Sequence, residues 1–133
     1  PAAVVTEPFG CGLRRGAYLI TEALPGRTAR QFFADPAIDA SARAQIAREM
    51  VRVLQRLHAA GLVHGDAKDN NFLIDNARVS LVDFDETARP RLRQASLQRK
   101  DWRQLMHNWR ADPATAALFL ALIPPTKRPA GLG

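Results

Sequence analysis

Asp66, Lys68, Asn71 and Asp83 are residue types whose order and spacing could carry phosphoryl transfer. They lie in His64-Gly65-Asp66-Ala67-Lys68-Asp69-Asn70-Asn71-Phe72-Leu73 and, a short segment later, in Asp83-Phe84-Asp85. That reaction asks a protein for little covalent work. Reactants must be positioned, the attacking hydroxyl must give up a proton, and positive charge must gather over the phosphates. Asp66 suits the proton acceptor, and Lys68 on the same loop suits a contact to the transferring phosphoryl group. Asn71 and Asp83 offer the hard oxygen ligands that magnesium prefers beside phosphate oxygens.

Such a set works only if rigid elements hold it. Phe72-Leu73-Ile74 and Arg78-Val79-Ser80-Leu81-Val82 read as strands joined by the turn chemistry of Asp75-Asn76, so Asn71 and Asp83 fall near the ends of one hairpin. From about Ser41 to Ala60, the apolar residues Ile46, Met50, Val53, Leu54 and Leu57 recur at helical spacing. Gly61 stands where a helix-terminating glycine belongs, and the helix delivers the chain to Val63-His64. Upstream, Ala3-Val4-Val5-Thr6 and Ala17-Tyr18-Leu19-Ile20-Thr21 read as strands around a Gly10/Gly12/Gly16 turn region carrying Arg14-Arg15. Thr28 with Gln31 is a capping-box pattern opening a short helix through Phe32-Phe33, which Asp35-Pro36 closes. Trp102, Leu105, Met106 and Trp109 form a further helical stripe, read as packing, and a last helix begins with Asp112 as its cap and Pro113 at its first position. Asp69, Asn70, Asp75 and Asn76 read as turn residues bonding nearby backbone. His58 and His107 lack the partner four residues on that would suggest zinc, and read as surface or hydrogen-bonded polar residues.

Composition narrows the setting. The 133 residues, 47% of them hydrophobic, can bury one core and hardly more. The single Cys11 has no intrachain partner, which points to a reducing compartment and away from a zinc site. The longest apolar run, Ala116 to Pro125, falls well short of the ~20 residues that cross a bilayer. A net charge of +6 points to acidic partners, such as nucleotide, a phosphorylated or carboxylated substrate, or an anionic lipid surface. Nucleic acid ranks last among them, since no recognition motif accompanies the 7% of aromatic residues.

The loop spacing is that of a kinase-fold catalytic loop and metal-binding turn. More specifically, the chain resembles the lipopolysaccharide kinase family, kinase-fold enzymes that phosphorylate Kdo or heptose in the lipopolysaccharide inner core. Leu13 to Gly26 is similar to that family's last small-lobe strand and hinge, Leu57 to Leu73 to its catalytic loop, and Leu81 to Asp85 to its metal-binding motif. The resemblance implies an α+β, protein-kinase-like fold, with residues 1–26 as the last small-lobe strands and hinge. Residues 27–133 would form the helical lobe, with the catalytic loop at 64–73 and the metal-binding turn at 83–85. It implies ATP and Mg²⁺ as cofactors, Asp66 as base, Lys68 on phosphate, and Asn71 and Asp83 on magnesium. Glu22 to Leu24 would meet adenine through backbone groups, Leu73 would lie under the ring, and His64 and Asp101 would brace the loop. The enzyme so described is cytoplasmic, with peripheral contact to the inner membrane surface, and its acceptor is an anionic sugar or glycolipid.

Two departures qualify the resemblance. Asp85 stands where protein kinases have glycine, and Asp83 to Asp101 leaves too little chain for a long activation loop, which favours a small-molecule or glycolipid acceptor over a protein. The Gly-rich loop and the strand lysine have no counterpart, so the 133 residues alone are expected to be inactive. An aminoglycoside-phosphotransferase-like kinase and a non-catalytic pseudokinase or nucleotide-binding fragment are the alternative readings. Arg89, Arg91 and Arg93 follow the metal-binding turn and either hold an anionic acceptor or form a solvated basic loop.

Overall fold

The computed structural model describes residues 3–9, 13–20 and 23–128, and the side chains of 23–128. An antiparallel pair, β1 (Ala3–Phe9) and β2 (Leu13–Ile20), opens the chain. Gly16, expected in the turn, instead lies within β2 opposite Glu7, and the register shifts between Glu7 and Pro8. Proline has no N–H to give the ladder, so a bulge at that point lets pairing resume at Arg14. Thr21 and the nucleotide-binding candidate Glu22 lie outside the described residues, as do Gly10, Cys11 and Gly12.

A second antiparallel sheet carries the site. Its order is β3 (Arg27–Thr28), β4 (Phe72–Asp75) and β5 (Arg78–Leu81), with Arg27 opposite Ile74 and Phe72 opposite Leu81. The β4–β5 turn places Asn76 at φ 54°, left-handed backbone that asparagine tolerates. Before β3, Gly26 has φ +119° and approaches β4 so closely that a Cβ there would sit 2.5 Å from the Ile74 carbonyl oxygen. Only glycine meets both demands.

The helices follow from their caps and apolar faces. Helix α1 (Ala29–Ala34) starts at the capping box, where Gln31 N–H donates to Thr28 Oγ1 (3.3 Å) and Thr28 N–H to Gln31 Oε1 (2.9 Å). Helix α2 (Ala40–Ala59) begins one residue earlier than its periodicity suggested, because the Asp39 carboxylate accepts the Ala42 N–H at 2.8 Å. Helix α3 spans Gln94–His107 and α4 spans Pro113–Leu122, the latter capped by Asp112, which accepts the Thr115 N–H at 3.1 Å. Hydrogen bonds from Thr115 hold the Asp112 carboxyl below its ordinary range.

The buried faces converge on one core. Phe32 and Phe33 of α1, Met50 and Leu54 of α2, Phe72 and Ile74 of β4, Trp102 and Leu105 of α3 and Phe119 of α4 all belong to it. Trp109 stacks on Phe119 with centroids 5.5 Å apart and planes 8° from parallel. Each large side chain so buried contributes about 1.5–3 kcal/mol, so Leu54→Ala, which also opens a cavity, is costly. The architecture is α+β, four α-helices about a three-stranded sheet among the described residues.

Candidate active site

The loop that carries Asp66 is fixed at its entry. Helix α2 ends through Gly61, whose φ of +78° turns the chain, with Gly61 N–H donating to His58 C=O (3.0 Å) and Leu62 N–H to Leu57 C=O (3.2 Å). Val63 then exchanges two backbone hydrogen bonds with Ala88, at 2.9 and 3.1 Å. Next, the fully buried Asp101 carboxylate of α3 accepts the backbone N–H of His64 at Oδ2 and of Gly65 at Oδ1, both at 2.9 Å. His58 Nε2–H also donates to Asp101 Oδ2, at 2.8 Å. Burial alone would raise the pKa of Asp101, but these donors outweigh it and hold the carboxyl below its ordinary range. Gly65 has φ +87°, and a Cβ there would lie 2.7 Å from Glu86 Cβ and 2.8 Å from the Glu86 carbonyl oxygen.

His64 is wholly buried and joins two parts of the site. Its Nδ1 accepts the Asp66 N–H (3.3 Å) and its Nε2–H donates to Val82 C=O (3.1 Å), which selects the tautomer with hydrogen on Nε2. The ring also sits 5.3 Å from that of Phe84. Thus the imidazole spans from Asp66 to the residue before Asp83.

The Asp66 carboxylate is partly open and well furnished with donors. Lys68 Nζ lies 2.8 Å from Oδ1, Asn71 Nδ2 donates to the Asp66 carbonyl at 2.9 Å and to Oδ2 at 3.3 Å, and Gln104 Nε2 reaches Oδ1 at 3.4 Å. The hydrogen bond to Asp66 raises the pKa of Lys68, with that carboxylate's charge adding to it. An ammonium held charged in this way is suited to clamp phosphate and unsuited to act as a base.

A magnesium ion fits the donor set at the mouth of the hairpin. Because Asn71 spends its Nδ2 on Asp66, its side-chain oxygen is left without a partner among the described residues. Val82 N–H donates to Asn71 C=O at 2.9 Å, extending the β4–β5 ladder by one step and setting Asn71 beside the residue that precedes Asp83. Asp83 itself is exposed, has φ +63°, and makes no hydrogen bond or ion pair among the described residues. No cluster of three or more His, Cys, Asp or Glu side chains occurs among the described residues. Two oxygens completed by phosphate is a different kind of site, and a usual one for magnesium.

The remaining candidates divide. Leu24 lines an open cleft of about 550 Å³ with Val53, Leu57, Leu81 and Phe84, whereas half-buried Leu73 is not on its wall and Glu22 is outside the described residues. Arg89, Arg91 and Arg93 are exposed, and their guanidinium groups make no hydrogen bond or ion pair among the described residues. Asp69, expected to serve only its own turn, is instead buried and takes Arg30 Nε at 2.9 Å and Nη2 at 3.4 Å across 39 residues of chain. A buried carboxylate needs a charged partner, and the one turn of 3₁₀ helix at Asp69–Asn71 aims it at α1. Gln104 was missed altogether. Its signal is a polar side chain three residues beyond Asp101, hence on the same helical face.

Comparison with known proteins gives the class of the chain. The chain is 33% identical to human kinase suppressor of Ras 2 over 93 residues, which cover 68% of the chain and 10% of that protein. It is 41% identical over 39 residues to the probable serine/threonine-protein kinase BUD32 homolog of Archaeoglobus fulgidus, covering 29% of the chain and 20% of that protein. With the serine/threonine-protein kinase ROP17 of Toxoplasma gondii it shares 50% over 42 residues, 31% of the chain and 7% of the relative. The chain thus spans a fifth or less of each relative's length. These likenesses place it in the kinase-type phosphotransferase class. Within that class the description that matches residues 1–123 is Lipopolysaccharide kinase (Kdo/WaaP) family, and the chain belongs to that family.

Proposed function

We propose that the chain belongs to an ATP-dependent kinase that phosphorylates a hydroxyl of an anionic, lipopolysaccharide-like sugar. The observation that carries this reading is the Asp66–Lys68 pair at 2.8 Å on a loop tied to α3, in a chain of the Kdo/WaaP family. Asp66 takes the proton as the acceptor oxygen bonds to the γ-phosphorus and the bond to ADP breaks. Lys68 turns from Asp66 to the phosphoryl oxygens, which frees Oδ1 for the acceptor hydroxyl. Asn71 and Asp83 would hold magnesium, which would supply charge neutralisation at the phosphates. Asp101 and His64 fix the loop.

In this reading residues 1–26 are the last small-lobe strands and hinge, where Glu22 and Leu24 meet adenine above Leu73, and residues 27–133 are the helical lobe. No helix among the described residues is long and apolar enough to cross a membrane. The enzyme works from the cytoplasm at the inner membrane surface, where Arg89, Arg91 and Arg93 attract acidic sugars and headgroups. Transfer of label from γ-labelled ATP to a Kdo-bearing core oligosaccharide, abolished by chelating magnesium, is the expected result. Label that reaches only protein side chains, or transfer that persists in chelator, would refute it.

A further inference from the structure

The carboxylate plane of an aspartate turns over a broad range, because its last torsion is soft. A base whose oxygen must meet a hydroxyl to within about an ångström needs that plane held. Three side chains hold it at Asp66: Lys68 Nζ at 2.8 Å and Gln104 Nε2 at 3.4 Å on Oδ1, and Asn71 Nδ2 at 3.3 Å on Oδ2. Two of them have other work in the reaction proposed above. Exposed Lys68 turns to the phosphoryl oxygens, and Asn71 gives its side-chain oxygen to magnesium. Gln104 makes no other side-chain hydrogen bond among the described residues.

Gln104 is fixed where that task requires. It stands on α3 three residues after Asp101, so one helix takes the backbone N–H groups of His64 and Gly65 and also reaches the Asp66 carboxylate. Its helical neighbours Trp102, Leu105 and Met106 are buried in the core, which anchors the helix beside the loop. Charge dictates how the amide faces, since turning it over would set a carbonyl oxygen against a carboxylate. With Nε2 on Asp66, the Gln104 Oε1 is buried without a partner among the described residues. A buried acceptor left unpaired is a cost to the fold, and the contact with Asp66 is what that cost secures. At 3.4 Å the bond is long, and bonds to catalytic groups shorten once substrate completes the geometry.

We propose that Gln104 is the positioning residue of Asp66, and that its N–H holds Oδ1 toward the acceptor when Lys68 has turned to the phosphoryl group. A carboxylate oxygen accepts more than one hydrogen bond, so Gln104 keeps one lone pair and the acceptor hydroxyl takes the one that Lys68 gives up. This role rests on the reading of Asp66 as base and adds the group that aims it.

The test is a double-mutant cycle in active protein, with γ-labelled ATP and the Kdo-bearing core oligosaccharide. Gln104→Met keeps the length of the side chain and removes its N–H. It is expected to lower kcat about ten- to a hundredfold, with KM for ATP and for the acceptor within about twofold of wild type. Its melting temperature should equal or exceed that of the wild type, because the unpaired carbonyl is lost with the amide. In an Asp66→Ala background the same change should move kcat by less than about twofold, since residues that act as a unit are not additive. Gln104→Glu has the shape of the wild type and sets a carboxylate against Asp66, so it should lower kcat at least as far, again only where Asp66 is present. Should Gln104→Met fail to fold, the Gln104→Glu cycle decides. Wild-type kcat in both Gln104 variants, or an equal loss with and without Asp66, would overturn the positioning role and leave Asp66 as base. Wild-type kcat in Asp66→Ala would instead overturn the base itself.

Discussion

Two polar stretches follow one another in this chain and are built in opposite ways. Residues 64–71 are held from a distance: Asp101 takes two of their backbone N–H groups, Arg30 takes Asp69, and Gln104 reaches Asp66. Residues 89–93 have no such ties. Their arginines point to solvent and Leu92 is 82% exposed. Polarity alone does not distinguish a site from a solvated loop. Long-range bonds that fix polar groups against solvent's competition do, because placement within about an ångström is what catalysis requires.

The sharpest break of that comparison is at the loop's chemical end. Asp66→Ala in active protein is expected to lower kcat by about 10²–10⁴ and to leave nucleotide affinity nearly unchanged, read by steady-state kinetics and a nucleotide titration. An unaltered kcat would remove Asp66 from the mechanism.

Next in size is the brace. Asp101→Ala strands the N–H groups of His64 and Gly65 and the His58 imidazole in a buried setting, which should cost about 3 kcal/mol in denaturant unfolding. The acid limb carries the same signature. Asp101 has a folded pKa below its unfolded value near 3.9, so its contribution is complete above about pH 4 and is lost as pH falls through the folded value. The melting temperature of Asp101→Asn should therefore fall less steeply on acidification than that of the wild type.

Gly65→Ala should cost about 2 kcal/mol, since it forces a side chain into left-handed backbone against Glu86. Smallest is the solvated stretch. Exchanging Arg89, Arg91 and Arg93 together for Ser should move stability by no more than about 0.5 kcal/mol. It should raise acceptor KM mainly at low salt, as long-range attraction does. A salt-independent rise would show that these arginines touch the acceptor and would erase the contrast drawn above.

Local signals in the sequence gave up local structure. The Thr28–Gln31 box, the Asp75-Asn76 turn and the Asp112-Pro113 start each occupy a few neighbouring residues and correspond to an element edge, and the Ile46 to Leu57 stripe lies within the single helix α2. What stayed hidden depends on distant partners. Nothing near Asp69 announces Arg30, and Gln104 is unremarkable until α3 packs beside the loop. The two-residue strand β3 is too short to have a period, and the place of Gly16 in β2 turns on a proline in the opposite strand.

The reach of the Asp101 bonds also sets an order of assembly. His64 and Asp101 are 37 residues apart, and His58 and Asp101 are 43 apart, so these contacts must wait for a large loop to close. A chain emerging from the ribosome displays the whole Asp66 to Asp83 motif well before α3 has been made and docked. During that interval the residues are present without their geometry. The kinase loop is therefore among the last features to mature during synthesis, and a chain halted before Asp101 would carry the motif with its backbone N–H groups still bonded to water.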